Sequence, residues 1–114
     1  MSTKKASRRK MTASYEEELL KELKKPEEAL AYLKVSFEDE DPSIFLTALG
    51  RVAKANGGLS SLAKKTGLNR ENLYRTLSSK GNPKLNNIDA LLRTFGMKLT
   101  VEHIAKPPRR RAVA

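Results

Sequence analysis

Apolar residues recur three and four positions apart along most of this chain, in segments separated by prolines, glycines and clusters of charge. Such spacing places the apolar side chains on one face of an α-helix. Phe45, Leu49 and Val52 follow it within one such segment. The pattern predicts six helices, over 15–25, 26–40, 42–56, 59–66, 70–79 and 87–95.

Residues that favour helix ends stand at several of the predicted boundaries. Ser14, Asp41 and Asn69 each precede a helix, and their side-chain oxygens can accept hydrogen bonds from the unpaired N–H groups of its first turn. Gly67 and Gly96 each follow a helix, where glycine tolerates the left-handed backbone conformation that often closes one.

The segment 97–101 has a period of two instead. Met97, Leu99 and Val101 alternate with Lys98 and Thr100, which predicts a short strand. A single isolated strand is not stable in water, so this one requires a partner strand. The expected fold class is an all-α bundle with an N-terminal helical arm and a short C-terminal strand.

Residue usage excludes several classes of function. The chain of 114 residues contains no cysteine and one histidine, His103, so it lacks the groups for a disulfide scaffold, a cysteine zinc site or thiol catalysis. The serine pairs have no nearby histidine to act as base. We therefore expect a protein that is not an enzyme and uses no cofactor or metal. No apolar run is long enough to cross a bilayer, so we expect a cytoplasmic protein without a membrane partner.

The net charge of +10 is divided into segments of alternating sign. Residues 1–14 carry +5 and are expected to form a disordered basic tail, and residues 15–41 carry −6 on an acidic helical arm. Residues 42–104 carry +7, and the basic tail 105–114 carries +4. A basic domain suits a polyanion, whereas the acidic arm would repel a polyanion and suit a basic partner. The alternative is that both are solvated surfaces.

A short motif in the basic domain predicts a helix-turn-helix unit. Ala63, Gly67, Leu68 and Leu73 stand at offsets 0, 4, 5 and 10. A small residue lets the second helix cross closely, a glycine forms the turn, and the two leucines fill the angle between the helices. The helix over 70–79 would then be the recognition helix, with its first turn in the major groove of DNA.

The outward residues of this helix carry suitable groups for reading DNA. Arg70 can bond guanine, and Arg75, five residues later, can reach a further base. Glu71 can accept from cytosine or orient Arg70, and Asn72 can bond adenine or the backbone. The other predicted contacts would bind phosphate. The alternative is a solvated helix with a Glu71–Arg75 ion pair. The full set of predicted DNA-binding residues is Ser60, Asn69, Arg70, Glu71, Asn72, Tyr74, Arg75, Lys80 and Lys84.

Two longer stretches carry a family resemblance, "PEEALAYLKVSFEDEDPSIFLTALGRVAKANGG" and "LAKKTGLNRENLYRTLSSKGNPKLNNIDALLRTFGMKLTV". In this order they resemble the HigA-like addiction-module antidote family, whose fold is a lambda-repressor-like bundle with an Xre-type helix-turn-helix. The resemblance implies an antitoxin of a type II toxin–antitoxin pair. Such a protein neutralises a RelE/ParE-like ribonuclease toxin by direct binding and represses its own operon. Thr76 departs from the family pattern, which often has an apolar core residue there, and Leu77 is expected to take over its packing.

The acidic arm is the predicted toxin-binding segment. Two amphipathic helices present apolar residues among acids, which suits docking into a groove of a small basic protein. The competing expectation is that the second of these helices packs on the domain core. The predicted toxin-binding residues are Leu19, Leu20, Leu23, Leu30, Leu33 and Phe37.

A homodimer is also expected, because the strand at 97–101 can pair with its twofold mate or with a toxin sheet. Two recognition helices would then contact successive major grooves of double-stranded DNA, at a palindromic operator near the nucleoid. Two alternatives remain: a stand-alone Xre-type repressor without a toxin, and an interaction module that no longer binds DNA.

Overall fold

The computed structural model describes residues 12–78 and 82–105, and these residues form an all-helical bundle of six α-helices. Residues 1–11 of the predicted tail 1–14 and residues 106–114 of the predicted tail 105–114 lie outside them. Each predicted helix is present in the described residues, although most are shorter than expected. The helices are α1 Ala13–Glu22, α2 Pro26–Phe37, α3 Pro42–Ala55, α4 Gly58–Thr66, α5 Arg70–Thr76 and α6 Leu85–Thr94.

Helix α3 forms the centre of the bundle. Its apolar stripe includes Ala48, Leu49 and Val52, which are all buried. Helices α1 and α2 pack against α3, as does α4, which in turn contacts α5 and α6. One continuous core joins all six helices, and its buried members outside α3 are Leu23, Ala29, Leu33, Leu62, Leu73, Ile88, Leu91 and Leu92.

The acidic helices share this core with the rest of the chain. Leu23, in the turn after α1, is only 1% exposed, and Leu33 of α2 is also buried. Polar contacts add to this packing: the Asn56 side-chain amide donates to the carbonyl of Leu23 over 3.3 Å, and Arg51 donates to the Tyr32 hydroxyl over 3.0 Å. The arrangement agrees with the competing expectation that the second helix packs on the core.

The helix caps agree with the sequence pattern at two of three positions. Asp41 accepts from the N–H of Ser43, and Asn69 caps α5, both as predicted. The prediction for Ser14 is wrong, because α1 begins earlier and Thr12 is its N-cap, accepting from the N–H of Tyr15 over 3.1 Å. Both threonine and serine are good caps, so composition alone did not separate the two.

The predicted C-terminal strand is not confirmed, since 12–78 and 82–105 contain no strand. The segment after α6 lies against the bundle, with Met97 and Leu99 half-buried on the core. Arg93 donates to the Asp89 carboxylate over 2.8 Å and lowers the pKa of Asp89, and the backbone N–H of Leu99 lowers it further. A strand needs hydrogen bonds from a neighbouring strand, and within the described part of this single chain none lies beside 97–101.

Replacing Leu23 by Ala tests whether the acidic helices belong to the cooperative fold. We expect Leu23→Ala to lower the free energy of unfolding by ~2–5 kcal/mol, because it leaves a cavity in the core. Leu30→Ala is the matched control: Leu30 is 45% exposed on the next helix, and its replacement should cost no more than about 0.5 kcal/mol. Urea unfolding followed by circular dichroism measures both. Equal, small losses would contradict the shared core.

Candidate nucleic-acid interface

Helices α4 and α5 are joined by a tight turn over 67–69 that the local sequence specifies. Gly67 has φ +78°, in the left-handed region, and its N–H donates to the carbonyl of Ala63 over 2.9 Å. The Thr66 hydroxyl donates to the Leu62 carbonyl over 2.8 Å and accepts from the N–H of Leu68 over 3.1 Å. These hydrogen bonds end α4, and the chain changes direction within three residues.

Apolar side chains beneath the turn hold the two helices at a set angle. Leu73 is 1% exposed, while Ala63, Leu68 and Leu77 are half-buried and pack on the core. The apolar residues of the predicted motif, Ala63, Leu68 and Leu73, therefore pack on the core, and Gly67 lies in the exposed turn. Leu77 also packs as expected next to the half-buried Thr76, which ends α5.

The outward face of α5 is a row of exposed polar side chains. Asn69 caps the helix by accepting from the N–H groups of Glu71 and Asn72, over 2.7 and 3.2 Å. Tyr74 is 72% exposed. Glu71 forms no ion pair within 4.0 Å with any described cation. The Glu71–Arg75 ion pair of the alternative interpretation is therefore absent from the described residues.

These side chains form what we call the α5 polar row. Its members are Asn69, Arg70, Glu71, Asn72, Tyr74 and Arg75, and all of them are exposed.

The predicted flanking contacts lie on neighbouring elements. Ser60 is exposed in the first turn of α4, and Lys84 is exposed at the N-cap of α6. Lys80 lies outside the described residues. Two exposed cations not among the predicted contacts, Lys64 and Lys65, occupy the last turn of α4 just before the tight turn. The sequence feature from which these two cations could have been predicted is the pair of adjacent lysines just before Gly67.

The six predicted toxin-binding residues fall into three groups. Leu23 and Leu33 are buried in the core, so a partner does not reach them in this structure. Leu19 and Leu20 are half-buried against the core. Only Leu30 and Phe37 are well exposed, at 45% and 63%.

Leu30 and Phe37 lie on the same face of α2, since a separation of seven residues is two helical turns. The ring of Phe37 meets that of Phe45 edge-on, with a centroid separation of 5.0 Å. The acids Glu27 and Glu38 are exposed near the two ends of α2, and the cation Lys34 is exposed between Leu30 and Phe37. We call Leu30, Phe37 and these two acids the α2 acidic face.

The described residues contain no group of three or more histidine or carboxylate side chains placed to hold a metal ion. Within the same residues, no helix is both long and apolar enough to span a membrane.

A family described as "Probable addiction module antidote protein" matches residues 13–103, which is most of the chain. The chain belongs to this family. The antidote-family match covers both the α2 acidic face and the α5 polar row. A protein of Haemophilus influenzae (strain ATCC 51907 / DSM 11121 / KW20 / Rd), described as uncharacterized, is 30% identical over 76 residues, which cover 67% of this chain and 77% of the relative. No solved structure matches this antidote-family chain.

Asn69 provides a test of how the α5 polar row is held. We expect Asn69→Ala to lower the free energy of unfolding by ~1 kcal/mol, because the N–H groups of Glu71 and Asn72 lose their acceptor. Asn69→Asp should retain most of the stability, since it keeps that acceptor. The control is Asn72→Ala, at a neighbouring exposed asparagine. Urea unfolding compares the three, and equal losses at 69 and 72 would show that the cap contributes nothing.

Proposed function

We propose that this antidote-family protein is a HigA-like antitoxin of a type II toxin–antitoxin pair, with an Xre-type helix-turn-helix formed by α4 and α5. It binds a small basic toxin of the RelE/ParE ribonuclease type and neutralises it. It also represses its own operon as a cytoplasmic, nucleoid-associated homodimer. The family supports the antitoxin role in general.

The observation that carries the DNA-binding role is the α5 polar row. Its arginines are exposed and make no ion pair with a described acid, so their donors are available to base edges and phosphates. Leu73, directly beneath them, is buried, so the helix that carries them is fixed on the core. A rigid helix with free donors on its outer face is the arrangement that major-groove reading requires.

The charge distribution supports two different partners. Residues 42–104 carry +7, which favours DNA through its phosphates. Residues 15–41 carry −6 and would be repelled by DNA, but they complement a basic ribonuclease. Among the predicted toxin-binding residues, Leu30 and Phe37 are exposed enough to enter a groove on a toxin, and Tyr15 and Val35 of the same segment are also exposed.

One observation favours a second candidate, a stand-alone Xre-type repressor without a toxin. The acidic helices bury Leu23 and Leu33 in the common core, so they have a structural role even if no toxin exists. The gene next to this one separates the two functions. A short neighbouring reading frame for a small basic protein that forms a complex on co-expression supports the antitoxin, whereas its failure to form a complex supports the repressor.

Arginine variants test the DNA-binding role. We expect Arg70→Ala and Arg75→Ala each to weaken binding to the upstream region of the gene by ~1–3 kcal/mol at fixed salt, because each removes a base contact. Fluorescence anisotropy with the operator and with random DNA measures the difference. Lys34→Ala, which removes an exposed cation from α2, is the control and should bind normally. Equal losses on both DNAs would mean that these arginines contact phosphate only.

Variants of the α2 acidic face test the toxin contact. We expect Phe37→Ala and Leu30→Ala each to weaken binding of the basic neighbour by roughly tenfold, equivalent to about 1.4 kcal/mol, because each removes an apolar anchor. Leu85→Ala is the control, since Leu85 is equally apolar and 73% exposed on α6. Titration calorimetry measures affinity, and rescue of growth on co-expression provides a second readout. Unchanged affinity in both α2 variants would place the toxin elsewhere.

A further inference from the structure

The segment that follows α6 presents an unused edge. Met97 and Leu99 are half-buried while Lys98 and Thr100 between them are exposed, which is the alternation of an extended chain. Farther along, Val101 is 95% exposed and Ile104 is 63% exposed. No described residue forms a strand with this segment. An open, apolar edge of this kind readily pairs with another chain.

The bundle determines which edge is open. The N–H of Met97 donates to the carbonyl of Leu92 in α6 over 2.9 Å, so the backbone groups of Met97 face α6. In an extended chain the N–H and C=O groups of successive residues point to opposite edges. The backbone groups of Lys98, Thr100 and Glu102 therefore point away from α6, on the edge that a second strand can reach.

We propose that 97–103 pairs antiparallel with the same segment of a second copy, with Thr100 of one chain opposite Thr100 of the other. This inference deepens the proposed homodimer and rests on it. The residues that exchange backbone hydrogen bonds are then Lys98, Thr100 and Glu102, which are the ones whose groups face outward. The twofold axis passes through the Thr100 pair.

This register matches the side chains as well as the backbone. Lys98 of each copy lies directly opposite Glu102 of the other, which creates two cross-strand ion pairs. Leu99 lies opposite Val101, so the highly exposed Val101 gains an apolar neighbour.

Moving the twofold axis by one residue in either direction removes the Lys98–Glu102 pair. Centring the pair on Leu99 puts Lys98 opposite Thr100, and centring it on Val101 puts Lys98 opposite Ile104. Neither forms a Lys–Glu pair between directly opposed residues. The segment carries opposite charges at equal distances on either side of Thr100, and this self-complementarity favours a second copy over a toxin strand as the occupant.

Cysteine cross-linking tests the register, because the native chain has no cysteine. In the proposed pair the two Thr100 Cα atoms lie about 5.5 Å apart, within the range that a disulfide spans. We expect the full-length Thr100→Cys variant to form a disulfide-linked dimer under mild oxidation. Two Lys98→Cys chains would have their Cα atoms about 14 Å apart, too far to link. Lys98→Cys mixed with Glu102→Cys should link, although each alone does not.

A charge exchange provides an independent readout. We expect Lys98→Glu to raise the dimer dissociation constant at least tenfold in sedimentation equilibrium, since Glu then faces Glu across the pair. Lys98→Glu combined with Glu102→Lys should restore native affinity. A native protein that is dimeric while Thr100→Cys fails to link, or while the double exchange fails to restore, would overturn this pairing and leave the homodimer standing. A native protein that stays monomeric at all concentrations would overturn the homodimer itself.

Discussion

Burial of the apolar stripe of α3 holds the helices of this bundle together. Ala48, Leu49 and Val52 are almost completely removed from water, and both the acidic helices and α4 pack against this helix. Helices α5 and α6 are held through α4. Because apolar burial is the main favourable term in folding, disrupting α3 would release both surfaces that we assign to partners.

The two surfaces differ in how they use this support. The α5 polar row lies above Leu73, a tight turn closed by Gly67 and the Asn69 cap, so its donors project from a helix whose position is determined on three sides. The α2 acidic face uses one side of a helix whose other side, including Leu33, is in the core. Opposite charge on the two segments would keep DNA and a basic protein from competing for one surface.

Several features could be predicted from local sequence because local chemistry decides them. The 3.6-residue spacing identified every helix in the described part of the chain, and the left-handed Gly67 and the Asn69 cap follow from residue types that suit those backbone positions. Local chemistry does not determine the cap of α1, because Thr12 and Ser14 are chemically similar caps two residues apart, and the helix begins after the earlier one. The α5 polar row could be predicted because its inward and outward positions separate cleanly within one short helix.

The order of the helices, the tight turn before α5 and the alternation of charge along the chain depend on neighbours close in sequence, so they could be predicted without the structure. Tertiary structure decided which apolar residues of the acidic segment remain accessible. Leu23 and Leu30 are both leucines of that segment, yet one is buried and the other is nearly half exposed. Tertiary contacts also determine that 97–101 lies along the bundle without a strand partner in the described chain. The physical reason is that burial and strand pairing depend on residues distant in sequence, whereas helix spacing and capping do not.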